Sequence, residues 1–118
     1  DEIDMNLLIE SSKKAEIYDY INSLDEKFET SVGEQGYKLS GGQKQRLGIA
    51  RAFYIDAEIL IFDEFTNFLD ANNEQKIINE VSMLKGKKTI VMISHKISTL
   101  SKCDKIFKLE KKKLTISQ

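Results

Sequence analysis

A candidate anion-binding segment stands at the start of a predicted helix and comprises Ser40, Gly41, Gly42 and Gln43. Glycine lets backbone N–H groups approach an anion closely, and the positive end of a helix dipole favours negative charge there. A serine followed by glycines is also typical of an ordinary helix N-cap, which requires no ligand. The phosphate-binding interpretation is favoured because the polar pattern continues along the same helix to Arg46 and Arg51.

Two carboxylates, Asp63 and Glu64, directly follow the apolar run at residues 59–62. In open α/β sheets, ligands bind outside the carboxyl ends of the strands, where this pair is expected to lie. Asp63 is a candidate ligand of Mg²⁺, which prefers oxygen ligands and keeps much of its hydration shell. Glu64 is then placed to orient or deprotonate a water that attacks a γ-phosphate. The alternative is that both acids cap the helix that follows.

Two further residues could take part in the same chemistry. His95 is the single histidine and follows a predicted strand that ends at Ser94. If that strand is parallel to the strand before Asp63, His95 emerges at the same edge and is a candidate γ-phosphate contact, although a lone histidine there is more often structural. Asp70 is predicted either to cap the next helix or to reach a partner subunit.

The sequence lacks one part that a complete nucleoside triphosphatase needs. No glycine loop of the form G-x-x-x-x-G-K-[ST], which cradles the phosphates, occurs in the 118 residues. We therefore expect the chain by itself to bind nucleotide poorly and to be inactive in hydrolysis.

Composition favours one ordinary globular domain, because 41% of the residues are hydrophobic and 31% are charged. The net charge of −1 argues against a nucleic-acid partner, and the lysines at residues 111–113 are best explained as a solvated turn. The single Cys103 cannot form an intramolecular disulfide, which fits a reducing compartment. No apolar run approaches the roughly 20 residues that span a bilayer, so we expect this piece to be soluble.

The pattern of apolar residues predicts an α/β fold with a parallel sheet. Helices are predicted at residues 4–10, 11–24, 41–54 and 73–85, and residues 25–36 are predicted to form a loop. Two strands buried on both faces are predicted at residues 59–63 and 88–94, and residues 105–109 and 114–117 are predicted to form a closing hairpin. Gly86 is expected to cap the fourth helix.

These residues together resemble the ABC ATPase family over nearly the whole chain. Residues 39–43 are identical to its signature, residues 59–63 are similar to its Walker B strand, and Glu64 stands in the place of its catalytic glutamate. Residues 69–70 are similar to its D-loop and His95 to its H-loop. Residues 30–36 look like the loop that precedes the signature in ABC exporters and contacts their membrane domains, with Glu34 in the acidic position.

The resemblance implies a fold and a set of partners. Residues 1–36 would be part of the α-helical subdomain, and residues 37–118 would be the signature helix and the C-terminal part of the RecA-like, P-loop NTPase core. ATP and Mg²⁺ would be the ligands, and residues 40–43 with Asp70 would help to bind nucleotide held by a second ATP-binding domain. The transmembrane domains would contact the Glu34 loop, at the cytoplasmic face of the membrane.

The leading hypothesis is therefore a piece of the ATP-hydrolysing domain of an ABC exporter. Two alternatives are a soluble ABC ATPase of chromosome maintenance or translation and a non-catalytic interaction module. The net charge of −1 and the exporter-like loop count against the first alternative. Phe65 and Phe68 depart from the small residues that the family commonly has at these positions, and such bulk near Asp70 is expected to alter the contact between subunits.

Overall fold

The computed structural model describes residues 2–117 of the chain. Helices and strands alternate after an α-helical N-terminal part, as the sequence predicts. The helices are α1 (Met5–Lys14), α2 (Tyr18–Ser23), α3 (Gly41–Tyr54), α4 (Ala71–Ser82) and α5 (Ile97–Leu100), and Lys27–Glu29 form one 3₁₀ turn. The strands are β1 (Ile59–Asp63), β2 (Thr89–Ile93), β3 (Phe107–Glu110) and β4 (Lys113–Ile116).

The hydrophobic core lies between one face of the sheet and the helices. Strand β1 contributes Leu60 and Phe62, which pack with three fully buried side chains of α4. Those side chains recur at the spacing of one helical face, as the sequence predicts, and they are Ile77, Ile78 and Val81. Burying such a face supplies most of the stability of a short helix, because its intrinsic propensity alone is marginal.

Strands β1 and β2 are parallel, and Asp63 pairs with Ile93 at their carboxyl ends. This confirms the parallel sheet, but the expectation that both strands are buried on both faces is wrong. Ile61 is 69% exposed and Ile93 is 50% exposed, whereas Leu60 is buried. Only one face of the two-stranded sheet is covered by helices in the described residues 2–117, so the apolar side chains of the other face remain in contact with solvent.

The predicted division of the first two helices into residues 4–10 and 11–24 is wrong, because the helical structure breaks after Lys14 and not after residue 10. Helix α1 continues from residue 5 to Lys14, and Glu16 then takes a left-handed conformation with φ of 55°. The Glu16 amide donates to the Lys13 carbonyl and the Ile17 amide donates to the Ser12 carbonyl. This is the Schellman ending of a helix, which usually has glycine at the left-handed position. The sequence carries glutamate there, so the apolar spacing of residues 11–24 gave no sign of the break.

The remaining elements follow the sequence predictions closely. Strands β3 and β4 form the expected antiparallel hairpin, with the lysines 111 and 112 in its turn. Helix α4 ends at Ser82, three residues before its predicted end, and its C-cap is Met83. The prediction that Gly86 caps this helix is therefore wrong, and Gly86, with φ of 77°, lies in the turn that leads to β2. The division of the chain at residue 36 stays a prediction, and helices α1 and α3 from its two sides pack against each other.

Candidate functional site

The candidate site is built at the carboxyl ends of β1 and β2. The parallel pairing places Glu64 one residue beyond β1, where its backbone N–H donates to the Ile93 carbonyl at 2.9 Å. The Glu64 side chain reaches His95, with 3.2 Å between Oε1 and Nε2. The histidine side chain is 97% exposed and that of Glu64 is 26% exposed. The structure therefore brings these two predicted residues together beside open solvent.

This geometry is suited to orienting a water molecule or a phosphate. The carboxylate of Glu64 has a second oxygen that can accept a proton from water, while the imidazole restricts the orientation of the first oxygen. Because its side chain is exposed, the histidine can also rotate and donate its N–H to an anion. The sheet edge thus places a base and a polar donor side by side.

Asp63, the predicted Mg²⁺ ligand, is the last residue of β1, and its side chain is exposed. Within residues 2–117, no group of three or more histidine, cysteine, aspartate or glutamate side chains lies close enough together to hold a metal ion. A single carboxylate still fits Mg²⁺, which commonly binds through one or two carboxylates, substrate phosphates and several waters. It does not fit a metal that needs a complete cage of protein ligands.

The start of helix α3 carries the predicted anion-binding residues. Ser40 is its N-cap, and Ser40 and Gln43 form a reciprocal capping box: the Gln43 amide donates to Ser40 Oγ at 3.2 Å, and the Ser40 amide donates to Gln43 Oε1 at 2.8 Å. The N-cap interpretation and the anion-binding interpretation are compatible, because capping leaves other N–H groups of the first turn free of intrahelical partners.

Gly41 and Gly42, at the start of α3, are packed against Phe68, a contact that the sequence did not predict. A Cβ added at Gly41 would lie 3.2 Å from Phe68 Cγ, and one added at Gly42 would lie 2.9 Å from the Phe68 carbonyl oxygen. Glycine is thus required at position 42 by the close approach of the loop after β1. This steric reason is independent of any ligand.

Gln45 connects the signature helix to the loop that contains Glu64. Its Nε2 donates to the Glu64 carbonyl at 3.0 Å, and its Oε1 accepts from the Phe68 amide at 2.9 Å. In the described part of the chain, no direct hydrogen bond or ion pair joins Ser40 or Gln43 to the Glu64 side chain. Gln45 thus connects the start of α3 to the loop after β1, in addition to the packing of Phe68 against Gly41 and Gly42. A glutamine in a helix carries no sequence signal for such a bridge.

Asp70 caps helix α4. One carboxylate oxygen accepts from the Asn73 amide at 2.9 Å and the other from the Asn73 side chain at 2.8 Å. The backbone hydrogen bond from Asn73 lowers the pKa of this exposed carboxyl. The capping prediction is confirmed, while the contact with a partner subunit stays a prediction.

A second feature that the sequence did not predict stabilises the same loop from its other side. Lys96, next to His95, donates from Nζ to the Thr66 carbonyl at 3.2 Å and to Glu74 Oε2 at 2.6 Å. The Glu74 side chain is only 12% exposed, so this ion pair is less screened by water than a surface pair. It fixes the residue after His95 to helix α4 and to the loop that follows Glu64.

The loop at residues 30–36 is exposed and turns tightly. The Tyr37 amide donates to the Ser31 carbonyl at 2.7 Å, and a Cβ added at Gly36 would lie 2.3 Å from that carbonyl oxygen. Glu34 lies near the tip of this turn and is exposed. The loop thus presents an acidic side chain at a surface away from the core.

Comparisons with known proteins agree on one family. A family model described as ABC transporter matches residues 2–67. An uncharacterized ABC transporter ATP-binding protein of Sinorhizobium fredii is 47% identical over 103 residues, which is 87% of this chain and 18% of that protein. ABC transporter B family member 17 of Arabidopsis thaliana is 39% identical over 117 residues, which is 99% of this chain and 9% of that protein.

One solved structure extends the agreement to three dimensions. The structure of a bacterial Atm1-family ABC exporter with ATP bound superposes with a TM-score of 0.88 at 36% sequence identity, covering 98% of this chain and 20% of that chain. The chain thus spans about a fifth or less of the length of these relatives. Among residues 2–117, no helix has the length and apolarity to cross a bilayer.

Proposed function

Because this chain belongs to the ABC transporter family, we propose that it supplies the signature helix and the catalytic-glutamate strand of an ATP-binding domain in an ABC exporter. The complete protein would hydrolyse ATP and use the free energy to move a substrate across a membrane. Similarity to an ATP-bound exporter over 98% of the chain supports this assignment over a soluble ABC ATPase.

The contact between Glu64 and His95 is the observation that carries the proposal. It places a carboxylate and an imidazole 3.2 Å apart at the carboxyl ends of two parallel strands, where α/β folds bind their ligands. An acid pair that served only to cap the next helix would leave this contact unexplained. Asp70, rather than Asp63 or Glu64, caps helix α4.

In the proposed reaction, Glu64 accepts a proton from a water molecule whose oxygen attacks the γ-phosphorus of ATP, and ADP leaves with the electron pair of the broken P–O bond. His95, which contacts the Glu64 carboxylate in the absence of nucleotide, would turn its N–H to a γ-phosphate oxygen when ATP is bound. Asp63 would hold Mg²⁺, directly or through water, and the ion would neutralise charge on the phosphates. The contribution of this chain is thus the base, its orientation and one metal ligand.

The signature residues are assigned to a different nucleotide. We place Ser40, Gly41, Gly42 and Gln43 against ATP held by a second ATP-binding domain, with Asp70 near the contact between the two domains. The phosphate loop is absent from the 118 residues and must come from elsewhere in the complete domain. For that reason we expect the isolated chain to be inactive, and tight binding of ATP to it would contradict this assignment.

The same proposal gives the exposed Glu34 loop a partner. We assign it to the contact with the transmembrane domains, on the cytoplasmic side of the membrane. The loop combines an acidic tip with a tightly packed turn at Gly36, closed by the hydrogen bond from the Tyr37 amide to the Ser31 carbonyl, and this shape would present Glu34 to a partner surface. Replacing Glu34 by Ala is then expected to lower transport more than ATP hydrolysis.

The experiment that tests the proposal is Glu64→Gln in the complete exporter. The amide cannot accept the proton from water, so hydrolysis is expected to stop while ATP stays bound. The matched control is Glu58→Gln, an exposed acid on the other end of β1, which is expected to keep the ATPase rate of the unaltered protein. A Glu64→Gln variant that hydrolyses ATP at a near-normal rate would refute the assignment of the base.

A further inference from the structure

We propose that Gln45 is a positioning residue for hydrolysis at Glu64, acting through the backbone rather than by contact with nucleotide. This inference rests on the proposed function of Glu64. Gln45 lies one turn beyond the signature glycines of α3 and holds the loop after β1 at two points, which are the Glu64 carbonyl and the Phe68 amide.

The backbone conformation of Glu64 explains why the loop needs these hydrogen bonds. Its φ is 48°, a left-handed value that non-glycine residues adopt rarely and that persists only where surrounding contacts enforce it. The Glu64 amide is fixed by the Ile93 carbonyl at 2.9 Å, and its carbonyl is fixed by Gln45 Nε2 at 3.0 Å. Together these bonds determine the direction in which the Glu64 side chain leaves the sheet edge.

The side-chain amide of Gln45 suits this task because it offers one donor group and one acceptor in a plane. Its Nε2 donates to the Glu64 carbonyl and its Oε1 accepts from the Phe68 amide, so one side chain forms hydrogen bonds with two backbone groups of the loop. A side chain with only a donor or only an acceptor would leave one backbone group without this partner.

The same loop touches the beginning of α3. The Phe68 carbonyl closely approaches Gly42, and the Phe68 ring lies against Gly41. A displacement of the first turn of α3 is therefore transmitted to the loop both by direct contact and through Gln45. Binding of nucleotide at the signature residues is thus coupled mechanically to the orientation of Glu64 on the same subunit.

The test replaces Gln45 with Met in the complete exporter, because Met has similar length and neither hydrogen-bonding group. We expect kcat for ATP hydrolysis to fall about tenfold or more at an unchanged KM, since the base is misdirected but nucleotide binding is not altered. The matched control is Gln75→Met on α4, where the glutamine side chain, among residues 2–117, bonds only to Asn79 of its own helix. That variant is expected to keep the kcat of the unaltered protein.

A second variant, Gln45→Glu, provides a readout that a merely structural role would not give. At about pH 8 the introduced carboxylate has no donor for the Glu64 carbonyl, whereas its protonated form has one donor and one acceptor, like the amide. The ratio of its kcat to that of the unaltered protein is therefore expected to rise severalfold as the pH falls to about 4.5, close to the ordinary Glu pKa of about 4.3. A ratio that does not change with pH would overturn the proposal.

Hydrogen exchange of the segment that contains Phe68 gives a measurement independent of turnover. Exchange of the Phe68 amide should be faster in Gln45→Met than in Gln75→Met, because only the first variant removes its acceptor. If Gln45→Met has the unaltered kcat while Glu64→Gln is inactive, the positioning role is refuted alone. If Glu64→Gln is also fully active, the proposed function of Glu64 is refuted instead.

Discussion

Replacement of Gly42 by Ala tests whether the signature helix is fitted against the loop after β1. The new Cβ would lie 2.9 Å from the Phe68 carbonyl oxygen, whereas carbon and oxygen atoms in close contact are usually about 3.3 Å apart or more. The helix or the loop must then move by about 0.4 Å. Movement of the loop is restricted because the Phe68 amide donates a hydrogen bond to Gln45.

Gly48 provides a matched control in the same helix. A Cβ added there meets no atom within 4 Å, and the residue is exposed. Alanine is favoured over glycine in a helix by about 0.5–1 kcal/mol, so Gly48→Ala should stabilise the domain by about that amount. Gly42→Ala gains at most the same helix-propensity contribution, and overpacking against Phe68 lowers its free energy of unfolding by about 1–3 kcal/mol. The two variants should therefore differ by about 1–3 kcal/mol.

The free energy of unfolding is best compared by urea denaturation of the complete ATP-binding domain at equal protein concentration. The midpoint for Gly42→Ala should lie below that for Gly48→Ala, with the same dependence on denaturant concentration. Equal midpoints, or a higher midpoint for Gly42→Ala, would show that Phe68 does not restrict this position and would refute the packing argument.

Three further predictions concern a cap, a charge and an exposed surface. Ser40→Ala should lower the free energy of unfolding of the domain by about 1 kcal/mol in urea, and Ser40→Thr should recover part of the loss; no change for Ala would contradict the capping box. Asp70→Ala should also destabilise the domain. Because the pKa of Asp70 is lowered in the folded state, its contribution to the free energy of unfolding is present above the unfolded pKa of about 3.9 and disappears as pH falls through the lower folded pKa. A destabilisation that persists far below both pKa values would contradict this charge-dependent capping. The isolated chain should self-associate in light scattering through its uncovered sheet face, with Ile61→Lys reducing the average mass, and a clean monomer at high concentration would contradict this.

Local sequence patterns predicted the helices and strands well where the pattern of apolar residues is typical of one kind of element. The short, continuous apolar run before Asp63 predicted β1, and the spacing of Ile77, Ile78 and Val81 predicted α4, because a helix that buries one face repeats its apolar residues every three to four positions. The break after α1 was missed because it depends on the left-handed conformation of Glu16, and glutamate does not indicate such a conformation.

The sequence predicted the part of the site that depends on the arrangement of the two parallel strands. The topology of parallel strands was sufficient to bring Glu64 and His95 to one edge, so their proximity followed from two strand predictions. The hydrogen bonds of Gln45 and the contact of Phe68 with the glycines were not predictable, since both depend on how a loop crosses a helix in three dimensions. Side chains that act on the backbone of a distant segment leave no periodic pattern.

The exposure of the sheet was wrongly predicted because an apolar strand indicates that both faces can be buried, and gives no information on what covers them. Ile59 and Ile61 alternate with the buried Leu60 on the same strand. Their side chains are as apolar as those in the core. In the proposed complete domain, further residues from the same polypeptide would cover this face.

We propose that this chain contributes to two different active sites, with Glu64 acting on the nucleotide of its own subunit and Ser40 on that of a partner subunit. The direct test coexpresses two inactive exporters, Glu64→Gln and Ser40→Asp, and measures ATP hydrolysis by the mixed dimers. Aspartate is as good an N-cap as serine, so Ser40→Asp preserves the helix while its charge repels phosphate.

If the two residues act in opposite sites, each mixed dimer contains one site with both residues unaltered. Statistical mixing should then restore about a quarter of the original ATPase rate for two independent sites in a symmetric dimer. If both residues act in the same site on one subunit, every site in the mixed dimer lacks one of them. A mixture with no more ATPase activity than the separate variants would contradict the assignment of Glu64 and Ser40 to different active sites.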